Sequence, residues 1–164
     1  PKKLSLHESI KIYLQLDVNK KIMLLIILLH LLVCYPLHSL KFIRLEYLSN
    51  RSWREILKNI IINSHILTKK LDWIHFGFAT MGIHRENVAR AIGARSAVSF
   101  RGFDIALYPH KHPDCYNLLW QKIDKVHTIS DDLYQKALDL GLSSDISFEK
   151  ISPAIDTTQF SASD

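Results

Sequence analysis

The stretch "KVHTISDDLYQKALDLG", residues 125–141, decides how this chain is read. Its first part is short and rich in β-branched residues, which predicts a strand. Ser130 follows as an N-cap, because its side chain can accept from the free N–H groups of a first helical turn. Asp131 and Asp132 then place negative charge where the helix dipole favours it, and Gly141 supplies a C-terminal stop. The stretch is therefore strand, cap, helix, stop. The same alternation extends outward on both sides. "DWIHFGFA" (72–79) predicts a strand running into glycine, and "HRENVARAIGA" (84–94) a helix with Gly93 near its end. "RSAVSFR" (95–101) predicts a strand, and "PDCYNLLWQKID" (113–124) a helix with Pro113 in its first turn. "EKISPAID" (149–156) reads as a last strand and exit loop. Strands alternating with helices predict an α/β fold: a Rossmann-like parallel sheet with flanking helices.

The chain has 164 residues, of which 48% are hydrophobic, so it can bury a substantial core. It carries 21 Lys+Arg against 16 Asp+Glu, a formal charge of +5. That excess suits an anionic substrate or an anionic membrane surface. No basic block interleaved with aromatics appears, so nucleic acid is not an expected partner. The 2 cysteines, Cys34 and Cys115, are far apart and make no disulfide framework, which fits a reducing, cytoplasmic compartment.

Before the alternating region the chain is of a different character. Residues 22–33 are apolar except for His30, too short a run to span a bilayer, and Pro36 ends it. A buried or interfacial helix is expected there rather than a targeting segment, since no small-residue cleavage site follows. "LHSLKFIRLEYL" (37–48) predicts a second helix after a proline kink. Its apolar positions Leu37, Leu40, Ile43 and Leu48 lie beside Lys41 and Arg44. That pattern fits either a helix lying on a membrane surface or a core-facing helix with solvated cations. Ser52 and Glu55 form a capping box, from which helical apolar spacing runs to about Lys70.

In an open parallel sheet, ligands bind beyond the carboxyl ends of the strands. Three such ends are legible. His75 and Gly77 follow the first strand, Arg101, Gly102 and Asp104 the second, and Ser130 the third. His75 can exchange a proton near neutral pH, and Asp104 can bind sugar hydroxyls. These two are the candidate catalytic groups. Arg101 can pair with phosphate, Gly77 and Gly102 can allow positive φ and close backbone approach, and Ser130 opens a helix N-terminus. These four are the candidate substrate-binding groups. Two plainer roles stand beside these, Ser130 as a cap alone and Arg101 paired with Asp104 across a turn. His110, His112 and Cys115 match no zinc spacing, so no metal is expected and that segment reads as a solvated loop.

Taken together, "DWIHFGFAT", "VSFRGFDI", "KVHTISDDLYQKALDLGL" and "KISPAIDTTQF" resemble the N-terminal domain of family 4 glycosyltransferases, of the kind that builds exopolysaccharides such as colanic acid. The resemblance covers roughly residues 71–160. It implies the acceptor-side half of a GT-B fold. Such enzymes transfer a sugar from a nucleotide-sugar donor, with retention and without a metal or other cofactor, to a glycan or lipid-linked acceptor. In the matching segments His75 takes the first of two places where relatives often carry histidine, and Gly77 the second. Arg101 stands where relatives commonly have histidine, while Gly102 and Asp104 keep the pattern. Asp156 and Phe160 also keep it, and Ala154 stands where glycine is frequent.

The family's first strand, with its glycine loop, is not visible in the sequence, and neither is the C-terminal donor-binding domain. The expected organisation is a partly apolar helical region over residues 1–50, a Rossmann-like core over 51–160 and the start of an interdomain linker at 161–164. The chain is expected to be part of a longer enzyme, inactive alone, and peripheral at the inner face of a membrane. The alternative is a truncated, non-catalytic α/β module that binds sugar or a partner.

Overall fold

Burial alternates along the first and third strands, and the alternation decides which side of the sheet becomes core. In the computed structural model, which describes residues 18–154, the strands are β1 (Trp73–Phe76), β2 (Arg95–Phe100), β3 (Lys125–Thr128) and β4 (Ser147–Lys150). They pair in chain order, and every pair is parallel. Ile74, Phe76, Val98, Phe100, Val126 and Thr128 are buried. Their neighbours on the other face, among them Trp73, His75, Arg95 and Glu149, are exposed. Right-handed crossovers between successive neighbours put every connecting helix on the same side of such a sheet. The fold is therefore a Rossmann-like α/β arrangement with its helices against one face. The other face is uncovered among the described residues, although parallel sheets are ordinarily covered on both.

The crossovers are short. α5 (Ala79–Gly82) and α6 (Val88–Ile92) link β1 to β2. A π-helical segment (Phe103–Leu107), α7 (Tyr108–Lys111) and α8 (Asn117–Trp120) link β2 to β3, and α9 (Asp131–Asp139) leads to β4. Tyr116 and Trp120 stack at 5.2 Å, and Phe100 meets Trp120 edge-on at 6.3 Å, so an aromatic block fills the space beneath β2. Gly93 (φ 79°) and Gly141 (φ 91°) end α6 and α9 in the left-handed region that glycine takes without a Cβ clash.

Four helices precede the sheet: α1 (Val18–Cys34), α2 (Pro36–Leu48), α3 (Trp53–Ile62) and α4 (Ser64–Leu67). The expected capping box is present, with Glu55 N–H donating to Ser52 Oγ and Ser52 N–H to Glu55 Oε2. Burial works against the Glu55 charge, but the two Ser52 hydrogen bonds and Arg51 outweigh it and lower its pKa. Leu31, Phe42, Ile60 and Leu67 join the same hydrophobic core as the sheet, so the core is continuous across residue 50.

What locks these helices to the α/β part is polar. Glu46 is fully buried and accepts from Asn59 Nδ2 (2.7 Å) and Asn87 Nδ2 (2.9 Å). Asn63 Nδ2 donates to the His84 carbonyl at 2.9 Å, and Arg51 pairs with buried Glu86 at 3.0 Å. His84 stands at φ 66°, and burial lowers its pKa, helped by Lys58 and Arg51. Its neighbourhood therefore favours a neutral ring.

Five sequence expectations need correction. The helix from Ser52 breaks at Asn63, whose side chain bonds back to Asn59 O and competes with helix propagation. The helix expected over 84–94 begins only at Val88, because His84 turns left-handed and Asn87 is drawn to Glu46. The helix expected from Pro113 begins at Asn117, because Asp114 takes φ 60°. Within the segment read as a solvated loop, His110 and Lys111 close α7. Finally, α2 buries Ser39, Phe42 and Glu46, while Leu37 (82% exposed), Leu40 and Leu48 face outward. Asp156 and Phe160 lie outside the described residues.

Candidate functional site

All three loops named from the sequence lie at the carboxyl edge of the sheet, as parallel pairing requires. The structure ties two of them directly together. Asp104 Oδ2 accepts from Ala79 N–H at 2.9 Å, and Oδ1 accepts from Arg101 and Gly102 N–H at 3.0 and 3.2 Å. Arg101 lays its guanidinium over the Phe78 ring, 5.6 Å from the centroid. The carboxylate thus holds the β1 loop against the β2 loop.

That geometry changes the role expected for Asp104. It is 1% exposed and both its oxygens are engaged by backbone, so it does not face a ligand. Its own carbonyl is also taken, accepting from Tyr116 Oη at 2.6 Å. Burial pushes the Tyr116 hydroxyl far above its ordinary range, which keeps it a donor there. Asp104 is a positioning residue, and the pairing with Arg101 runs through the arginine backbone rather than its side chain. Ser130 behaves as a cap, accepting from Leu133 N–H at 3.3 Å. Neither Gly77 nor Gly102 adopts a left-handed φ, which corrects that expectation. A Cβ at either glycine would meet no atom within 4 Å, so the backbone there is open to approach.

Of the two candidate catalytic residues, His75 is the one that the structure leaves accessible. It sits next to last in β1 on the uncovered face. Its Nε2 lies 2.7 Å from Ser99 Oγ, and Ser99 Oγ lies 2.8 Å from His127 Nδ1. The register sets Ser99 opposite His127 and His75 opposite Ala97, so the three form a polar row that crosses β1 and β2 on a diagonal. His127 Nε2 faces the Ile151 carbonyl at 3.4 Å. A carbonyl can only accept, so in a hydrogen bond at this long distance the nitrogen is the donor. His127 Nδ1 then accepts from Ser99, and Ser99 accepts from His75 Nε2–H. With both rings neutral, a row running that way makes Nδ1 of His75, which has no partner among the described residues, its free acceptor.

Ser99 and His127 were not singled out from the sequence. Period-2 alternation places each on a face of its own strand, but only the cross-strand pairing shows that Ser99 lies between His75 and His127. Lys125 and Glu149 form an ion pair on the same face, which lowers the Glu149 pKa, and Arg95 covers the Trp73 ring at 5.6 Å.

Sequence and structure comparisons add no relative. No protein-family model, curated protein or solved structure matches the chain. Its chemistry must therefore be argued from its own side chains. A cleft of about 320 Å³ lies elsewhere, bordered by Cys115, Tyr116 and Leu140. Burial raises the Cys115 thiol pKa, so that cleft presents no thiolate. Among the described residues no His, Cys, Asp and Glu side chains cluster as metal ligands.

Proposed function

We propose that this chain is the acceptor-side part of a retaining, nucleotide-sugar-dependent glycosyltransferase, and that His75 receives the acceptor. The observation that carries the reading is the bare Nδ1 of His75 at the carboxyl edge of a parallel sheet. Read inward from the Ile151 carbonyl, the contacts through His127 and Ser99 make that nitrogen an acceptor. An imidazole nitrogen fixed as an acceptor orients a hydroxyl donor such as a sugar O–H. The open backbone at Gly77 and Gly102 leaves room for a ring beside it. Arg101 adds a cation that pairs with phosphate or carboxylate. The four segments that resemble family 4 glycosyltransferases support the same reading.

In the proposed reaction the acceptor oxygen bonds to the anomeric carbon and the bond to the nucleotide phosphate breaks. The acceptor proton ends on the departing phosphate. His75 orients the acceptor hydroxyl, and donor binding belongs to a region beyond this chain.

The test is transfer by the longer protein containing this segment, screened against nucleotide sugars with lipid-linked and free glycan acceptors. Product anomers are read by proton NMR. His75→Ala is expected to lower kcat/KM at least tenfold, about 1.4 kcal/mol, without changing the unfolding midpoint. Glycan binding without turnover supports the non-catalytic module instead. Unchanged kinetics in His75→Ala removes the histidine from the site.

A further inference from the structure

The exposed apolar surface of this protein is concentrated in its first helices. α1 and α2 meet at Tyr35 with a bend of 112°. The Ser39 hydroxyl lies 3.1 Å from the Leu31 carbonyl and 2.9 Å from that of Tyr35, bracing the inside of the elbow. Leu31 and Phe42 point inward and are fully buried. The outside is the reverse: Val33 is 75% and Leu37 82% exposed, with Ile26, Leu29 and Leu40 each more than half exposed. No Asp, Glu, Lys or Arg occurs in residues 22–40. Neither arm is long and apolar enough to cross a membrane.

The exposed charge that follows this surface along α2 and α3 is mostly of one sign. Lys41 and Arg44 on α2, and Arg54 and Lys58 on α3, are exposed and enter no ion pair among the described residues. Between residues 21 and 62 the only carboxylates are Glu46, fully buried, and Glu55, held in its capping box. Tyr47 and Trp53, 61% and 56% exposed, pack at 6.2 Å where α2 gives way to α3. Amphipathic aromatics of this kind settle at a headgroup boundary.

We propose that this elbow is a monotopic membrane wedge that inserts Val33, Leu37 and Leu40 into one leaflet of an anionic bilayer. The free cations on α2 and α3 then lie against the headgroups. Charge selects the occupant: a second copy would bring the same unpaired cations to the contact, whereas an anionic leaflet complements them. The proposal does not depend on the glycosyltransferase reading.

The experiment uses the whole chain with Cys115→Ser, so that exposed Cys34 at the bend carries the only environment-sensitive fluorophore. Vesicles of phosphatidylcholine with phosphatidylglycerol are compared with phosphatidylcholine alone. The expected result is a blue-shifted Cys34 label and co-sedimentation with the anionic vesicles. Leu37→Glu weakens binding about tenfold or more, and Lys41→Glu with Arg44→Glu about tenfold. Leu37 is so exposed that the fold is retained, which circular dichroism checks. A label unchanged by vesicles, or equal binding to neutral vesicles, overturns the proposal. So does a lipid-free dimer that Leu37→Glu dissolves in sedimentation velocity.

Discussion

The two faces of the sheet are made from the same four strands, yet they obey different rules. On the covered face Ile74, Val98, Phe100 and Val126 pack beneath helices, and their identity is dictated by volume and water exclusion. On the uncovered face, one residue away along each strand, stand His75, Ser99, Lys125, His127 and Glu149. There the side chains answer to one another through hydrogen bonds and charge. The contrast teaches where selection for folding stops in this chain and where selection for something else begins. Volume and water exclusion do not dictate a serine between two histidines, even where that serine is buried as Ser99 is.

The sharpest way to break the contrast is to truncate one residue on each face. Phe100 has no exposed surface and contacts Trp120, so Phe100→Ala is expected to cost about 3–5 kcal/mol. Lys125→Ala removes half of an exposed ion pair and is expected to change stability by no more than about 0.5 kcal/mol. Urea unfolding midpoints decide it. Comparable losses from both would mean that the uncovered face is also part of the core.

A smaller effect separates the two groups once expected to share the chemistry. Asp104→Ala orphans three backbone N–H donors at the junction of two loops and is expected to cost about 2–4 kcal/mol. His75→Ala on the exposed face is expected to cost less than about 1 kcal/mol. Asp104→Ala at wild-type stability would return the carboxylate to the candidate site.

The chain order of strands and helices was legible because each junction carries its own local chemistry. Ser52 with Glu55, Ser130 with two aspartates, and Gly93 and Gly141 all act within a few residues of themselves. The parallel α/β fold followed from that order. What sequence could not show is anything decided by partners far along the chain. Asp104 looks like a ligand group until Ala79, 25 residues away, is seen to donate to it. Hydropathy does not mark Glu46 and Ser39 for the inside of α2, and an outward Leu37 fits only the membrane-surface reading of that helix. Hydropathy does not anticipate that Asn59 and Asn87 arrive to receive the glutamate. The polar row fared likewise: its three residues come from three strands, and only their register joins them.

The smallest expected effect tests the direction of that row. Ser99→Ala removes one buried hydroxyl and leaves both histidines able to turn to water, so the cost is expected to be about 1 kcal/mol. The informative readout is ring nitrogen NMR rather than stability. In the wild type His127 is expected as the Nε2–H tautomer, held by the Ile151 carbonyl on one side and the Ser99 proton on the other. In Ser99→Ala it loses the second constraint and samples both tautomers, and His75 does the same. If wild-type His127 instead carries its proton on Nδ1, the row runs backward. The exposed nitrogen of His75 would then be a donor, suited to a phosphate or carboxylate oxygen rather than to a sugar hydroxyl. One proton on one ring therefore decides whether this sheet edge offers a ligand an acceptor or a donor.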